Sequence, residues 1–385
     1  MNIVLVGRDE ELIRCLNQIP AARDIAVLDI ALLQSAQLPL SHADLILLSD
    51  REVPLYQVED VRKIVGPEKK LAYLLSYQAD SGPVSEAVII CERYGVDLLP
   101  PKRTVEQIID EIERRYIGSK AGTSGGKVIT IVGALAQSGV TSTALSLADL
   151  CAKHARVAVL GFNASNPGLL VPYNGAMLNQ LYTQIQESRV LKPADLAAAM
   201  QPVGGFHYLA GNADLAKKYR YKTEAAHHII QCARQEFDFV IIDAGASPDN
   251  NLCLQAILHA DIRILLSTQQ PAALSMWKQY KELLQLFYLP GTKLPGFLLL
   301  LNRYRSSFGE AGMFARQMEL PLLGALPDLK SEGWLCEGER KLLTTVNHSG
   351  YQEQMNKLAK ELLRRFDLTL REEAARKGWW IWNRQ

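Results

Sequence analysis

The sequence predicts an α/β protein with two doubly wound parallel sheets and a helical C-terminal tail, and three observations predict it. Short apolar runs alternate with amphipathic helical patterns along most of the chain, which implies parallel strands covered on both faces. A Gly, Ser and Thr stretch, Gly118 to Gly126, divides that alternation as a flexible linker. The second half opens on Lys127 to Ala148, KVITIVGALAQSGVTSTALSLA, in which a β-branched run enters a short loop and a helical pattern leaves it. Four segments follow: a domain over 1–116, a linker over 117–126, a domain over 127–370 and a Trp-rich tail over 371–385.

In chain order the first domain offers a strand at Ile3 to Val6, a helix at Glu10 to Gln18, a strand at Ile25 to Leu28 and a buried strand at Leu45 to Leu48. An apolar run, Leu71 to Ser76, follows a basic turn. A helix at Val84 to Tyr94, a short strand at Val96 to Leu99 and a helix at Val105 to Arg115 complete it. The succession resembles the receiver domain of response regulators. That resemblance implies a phosphorylated aspartate beside a Mg²⁺ held by an acidic pair, with a lysine sensing the phosphoryl group. Here the acidic pair falls on Gly7 and Arg8, the aspartate position on Ser49 with Asp50 one place later, and the lysine position on Pro100. A neutral and a basic residue leave Mg²⁺ too few oxygen ligands. The domain is therefore expected to bind protein rather than to switch, with Asp50 a solvated loop carboxylate; modification of Ser49 or Asp50 stays open.

The second domain starts on the strand, loop and helix of a phosphate-binding P-loop, in which backbone amides and a helix N-terminus cradle phosphates. Laid on GxxxxGK[ST], the chain keeps Gly139 and Thr141 but has Ala134 for the first glycine and Val140 for the lysine. Strands follow at Arg156 to Phe162, Phe239 to Asp243, Ile262 to Ser267, Phe297 to Asn302 and Leu322 to Leu326. Their order, together with GVTSTALSLA, FDFVIIDAGAS, ADIRILLSTQQPAALS, LLLLNRY and LLGALPD, resembles the MinD/ParA family of deviant Walker ATPases. ATP and Mg²⁺ are the cofactors that this resemblance implies.

Carried over position by position, the family's signature lysine falls on Leu135, its Walker lysine on Val140, and its aspartates after the second strand on Gly161 and Asn163. Asp243 keeps the Walker B place. The resemblance thus implies a degenerate nucleotide site of Ser138, Gly139, Val140, Thr141, Ser142 and Asn302, with Thr141 and Asp243 as Mg²⁺ ligands and no catalytic residue. Each lost charge-assisted contact removes ~1.5–3 kcal/mol, so hydrolysis is not expected, while amides and hydroxyls still suit weak binding. Plainer readings stay open: Asp243 capping a turn, Asn302 an ordinary strand-end residue, Thr141 and Ser142 capping their own helix.

A degenerate receiver joined to a divergent P-loop domain resembles the TadZ/CpaE branch of Flp (tight adherence) pilus assembly. This implies a pseudo-ATPase scaffold or positioning protein whose partners belong to a pilus or secretion machine. The alternative is an ATP-binding MinD/ParA-type switch that forms a homodimer and positions cargo. The loop departs further from the branch with Ala136 and Gln137 in place of paired glycines, which sets side chains where backbone should approach phosphate.

Bulk properties narrow the partners. The 385 residues carry 42 basic and 41 acidic side chains, so no overall field favours nucleic acid. Cys15, Cys91, Cys151, Cys232, Cys253 and Cys336 lack paired spacing and read as reduced core thiols. No apolar run is long enough for a bilayer and the start lacks a secretion signal, so a cytoplasmic protein is expected. Met355, Leu358, Leu362 and Phe366 recur at helical spacing among Lys357, Lys360, Arg364 and Arg365, a basic amphipathic helix. Beyond it, Trp379, Trp380 and Trp382 fit either contact with the inner face of the plasma membrane or docking on protein.

Overall fold

Continuous runs of Leu, Ile and Val form the strands of two separate parallel sheets. A computed structural model of the chain describes residues 1–17, 19, 22–33, 37–75, 84–99, 105–112, 115–116, 125–164, 170–182, 191–217, 219–246, 248–285 and 296–366. The chain divides into two units, Met1–Gly122 with Lys281–Leu294, and Thr123–Tyr280 with Pro295–Gln385. Most of the linker, Pro100, and the tail with Trp379, Trp380 and Trp382 lie outside the described residues.

In the first unit β1 (Asn2–Val6), β2 (Asp24–Leu28), β3 (Leu45–Ser49), β4 (Lys70–Leu74) and β5 (Asp97–Leu99) stand all parallel in the order β2-β1-β3-β4-β5. This is one of the two common doubly wound orders. Helices α1 (Glu10–Leu16), α2 (Gln37–His42), α3 (Val58–Val65) and α4 (Val84–Arg93) connect them, and α5 (Val105–Ile112) follows β5. Alternate strand residues feed two cores. Ile3, Leu5, Leu45 and Leu47 meet Leu12 of α1 and Ile108 of α5, whereas Val4, Val6, Ile46 and Leu48 meet Val58 of α3 and Cys91 of α4.

The sequence reading gave only a basic turn before Leu71, where the structure has α3. Just two of its residues, Val58 and Val61, are fully buried. What anchors it is Arg62, whose guanidinium donates to the carbonyls of Tyr94 (3.0 Å), Gly66 (3.0 Å), Lys69 (2.9 Å) and Gly95. Such carbonyls have no signature in hydrophobic periodicity.

The second unit contains, in order, β6 (Lys127–Gly133), α6 (Val140–Cys151), β7 (Val157–Gly161), α7 (Pro193–Ala199), β8 (Gln201–Val203), β9 (Phe206–Leu209), α8 (Thr223–Glu236) and β10 (Phe239–Asp243). It continues with α9 (Asn251–His259), β11 (Ile262–Ser267), α10 (Pro271–Gln285, of which the residues from Lys281 are grouped with the first unit), β12 (Phe297–Tyr304), α11 (Ala311–Met318), β13 (Leu322–Pro327), α12 (Lys330–Gly338) and α13 (Ser349–Arg365). The sheet order is β13-β12-β11-β6-β10-β7-β9-β8, parallel except for the β8–β9 hairpin, which turns at Gly204 (φ +56°). That hairpin was not predicted, because Pro202 and His207 break up strands of three and four residues. Central β6 lies between β11 and β10, so the loop after it opens at the carboxyl ends of three buried strands.

The basic amphipathic helix is α13, and its apolar side belongs to the core. Tyr351, Met355, Leu358, Leu362 and Leu363 join one cluster with α6 and strands β6, β7 and β10, and Phe366 meets Phe239 edge-on at 5.8 Å. Lys357, Lys360, Arg364 and Arg365 face solvent. All six cysteines are free and buried, and burial pushes the thiols of Cys91 and Cys151 up to about 12, so they stay protonated at neutral pH. Among the described residues no helix is long and apolar enough to cross a membrane.

Leu362→Ala is expected to cost about 2–5 kcal/mol, as for a fully buried leucine left as a cavity. Arg365→Ala, which removes one exposed pair with Glu361, is expected to cost under about 1 kcal/mol. Urea denaturation of both variants checks the contrast, and equal losses would contradict the core placement of α13.

Candidate functional site

The loop between β6 and α6 is pinned at its start to two neighbouring strands. The Gly133 amide donates to the Gly245 carbonyl (2.7 Å) and the Ala134 amide to the Leu266 carbonyl (2.8 Å). A Cβ at Gly133 would lie 2.4 Å from the Ser138 hydroxyl oxygen, so only glycine allows the loop to fold back here. Gln137 takes φ +60° and Gly139 φ +94°. The left-handed backbone that suits a glycine is therefore kept at Gln137, at a cost of roughly 1–2 kcal/mol. Gly139 then caps α6 without any side-chain hydrogen bond, leaving amides at the positive end of the helix dipole.

The predicted site residues are brought together, and most of their polar side chains are committed to partners within the chain. Val140, in the lysine place, is buried and packs with Ile129, Ile131 and Ala144 in the core. The Thr141 hydroxyl donates to Asp243 Oδ2 (2.5 Å), and the Gly245 amide donates to Asp243 Oδ1 (3.0 Å). The Ser142 hydroxyl donates to the Glu337 carboxylate. Asn302 Nδ2 donates to the Ser138 carbonyl (2.8 Å). Ser138 Oγ, 2% exposed as a residue, has no hydrogen-bond partner. Burial pushes the Asp243 carboxyl above its ordinary value, and the bonds from Thr141 and Gly245 pull it partway back; no cation helps them.

This donor set fits one end of a magnesium nucleotide and not the other. A threonine hydroxyl beside a carboxylate is a hard-oxygen pair suited to Mg²⁺. At the phosphates, Val140 offers methyl groups where a point charge is needed. The two positions where the resemblance implies aspartates differ from one another. A Cβ at Gly161 would come within 2.4 Å of the Gly211 amide nitrogen, so that position has no room for a carboxylate, while the Asn163 side chain rests against Gly245 beside Asp243.

Several charged groups at the site escaped the sequence reading. Arg303, Asp328, Lys330 and Glu337 line one cleft with Gly139 and Ser142, under the exposed indole of Trp334. The Arg303 guanidinium lies 5.8 Å from the Trp334 ring centre, and Asp328 is held by Arg305 (Nε to Oδ2, 2.6 Å). Arg303 directly follows Asn302, and Asp328 ends the LLGALPD run, so adjacency to recognised motifs was the available signal. For Glu337 there was none.

In the first unit Ser49, Asp50 and Arg51 share a cleft with Asp9, a carboxylate that the reading passed over in favour of Gly7 and Arg8. Asp9 Oδ1 accepts from the Leu12 amide (3.0 Å) as the cap of α1, and Arg51 pairs with its Oδ2 at 3.5 Å. The pattern Asp-Glu-Glu ahead of an apolar run is a helix-start signal that marks Asp9. Arg8 turns instead to Asp29 (3.4 Å). His227 Nδ1 lies 3.0 Å from His259 Nε2, while His228 Nε2 meets the Leu191 carbonyl. Among the described residues no group of three or more side chains is arranged to hold a metal ion.

No family model matches the chain, and no curated protein matches it. Solved structures do. A ParA family ATPase from Chlorobium tepidum is 16% identical, with a TM-score of 0.54 over 62% of this chain and 99% of that one. The septum site-determining protein MinD from Pyrococcus horikoshii, complexed with Mg-ADP, is 21% identical, with a TM-score of 0.50 over 62% and 96%. The cell division ATPase MinD of Pyrococcus furiosus is 20% identical, with a TM-score of 0.50 over 62% and 99%. The chain thus contains the MinD/ParA P-loop fold.

Gln137→Gly is expected to leave stability unchanged or raise it by up to ~1 kcal/mol, since relief of the left-handed backbone offsets glycine's entropy cost. A loss above that in denaturant melts would argue against φ +60°. Asp243→Asn is expected to stabilise the chain at neutral pH, since it removes the charge that burial disfavours. The folded chain disfavours ionised Asp243. The stability this group contributes is therefore full below the pKa of a free carboxylate and is lost as pH rises through the raised value. The melting-temperature gap between variant and native chain should widen from pH 4 to pH 8; a gap that narrows would refute the assignment.

Proposed function

We propose that this protein is a pseudo-ATPase of the TadZ/CpaE type, a scaffold or positioning protein of a pilus or secretion assembly. The observation that carries this reading is Val140: the loop keeps its P-loop backbone, down to the left-handed Gln137, while the lysine place holds a valine buried in the core. Removal of a cation from a site for a triphosphate removes the electrostatic stabilisation on which phosphoryl transfer depends. The first unit is read the same way. Its strand order is that of receiver-type domains, and of the acidic groups in its cleft Asp9 pairs with Arg51, which suits a protein-binding module.

A second reading, an ATP-binding switch that dimerises and positions cargo, draws support from the Thr141–Asp243 pair, which retains an oxygen set suited to Mg²⁺. Phosphate release from Mg-ATP separates the two. The scaffold reading expects release no faster than the buffer blank and unchanged by Asp243→Ala. Turnover that Asp243→Ala abolishes would overturn it.

A further inference from the structure

The first turn of α6 faces a carboxylate supplied by this chain. Ser142 and Glu337 are 195 residues apart in sequence, yet the serine hydroxyl donates to the glutamate, at the end of the helix where negative charge is favoured. The loop before that helix holds a second buried hydroxyl, Ser138 Oγ. It is buried without a partner inside the loop, directed at Gly133 across the turn. The cleft also holds cations that the loop itself lacks. Arg303 and Lys330 line it; the Arg303 guanidinium lies over the Trp334 ring and its charge acts on Asp328, to which the Lys330 amide also donates (3.0 Å). Two carboxylates line it with them, Asp328 and Glu337. Asp328 is already held by Arg305. Glu337 is thus the negative group that faces the helix start.

The element that carries Glu337 is lightly attached. Of the nine residues of α12, only Cys336 is fully buried, while Trp334 and Leu335 stand 68% and 66% exposed. A helix fixed by so little apolar area separates from its neighbour at modest cost.

We propose that Glu337 stands in for a ligand phosphate: its contact with Ser142 holds α12 against the start of α6 and shuts the cleft to nucleoside polyphosphates. The site is thus regulated by an internal anion, in competition with any external one. Apparent affinity for an added nucleotide is then reduced by the fraction of chains in which Glu337 has left Ser142. This inference rests on the non-hydrolysing reading above, since it assigns the surviving cleft to gated binding rather than turnover.

Calorimetry of Mg-ATP binding to the full chain tests it, with Glu337→Gln removing the charge and Glu337→Ala removing both charge and hydrogen bond. At least tenfold tighter binding than by the native chain is expected for one or both variants. Arg303→Ala combined with Lys330→Ala in the tighter variant should erase the gain. Unaltered circular dichroism and melting show that each variant folds. A change below tenfold in both Glu337 variants overturns the proposal, as does a gain that survives loss of both cations. Phosphate release measured on the same samples keeps the two readings apart: Asp243-dependent turnover by the native chain defeats the pseudo-ATPase reading, whereas unchanged affinity in the variants defeats only the role of Glu337.

Discussion

The hydrogen bond from the Thr141 hydroxyl to the buried Asp243 carboxylate is the constraint on which the second unit depends. It joins the first turn of α6 to the end of β10, and the backbone bonds of Gly133 and Ala134 to Gly245 and Leu266 hold the loop between them in place. For the bond to form, β6 and β10 must pair with Ile131 opposite Asp243, which brings the loop and the carboxylate to the same height in the sheet. The arrangement has costs. A carboxylate is buried away from water, and Gln137 is held in a backbone region that side chains avoid. Both costs fall on the loop between β6 and α6 and on the strand end that faces it.

The positions where the resemblance implies charged residues are filled differently from place to place. At Val140 the side chain is core, and its methyl groups contribute to the same cluster as α13. At Gly161 the backbone of Gly211 lies where a side chain would start. The first unit reaches a similar end by pairing. Asp9 serves as a helix cap and as the partner of Arg51, which leaves it less available to a cation. Each unit by itself keeps a doubly wound sheet and satisfies, from within, groups at the end of the sheet where such folds bind ligands.

Much of this was legible in the chain. Buried strands such as Leu45–Ser49 and Phe239–Asp243 are continuous apolar runs, and a strand that must be apolar on both faces can be read without its neighbours. The P-loop frame was equally plain, because its strand, loop and helix are contiguous. Elements that went unread rely on polar or distant support. Helix α3 is secured by one arginine reaching four carbonyls, and β8 with β9 form a short hairpin interrupted by proline and histidine.

By itself the sequence determined the alternation of strands and helices, the position of the loop, and the loss of lysine at Val140, since all three are properties of neighbouring residues and their spacing. Only the tertiary structure decided where the remaining charges go: Arg303 and Lys330 beside the loop, Asp9 against Arg51, and Glu337 on Ser142. Charge acts through space and burial rather than along the chain. Two residues nearly two hundred positions apart can neutralise one site while leaving no periodic trace of it.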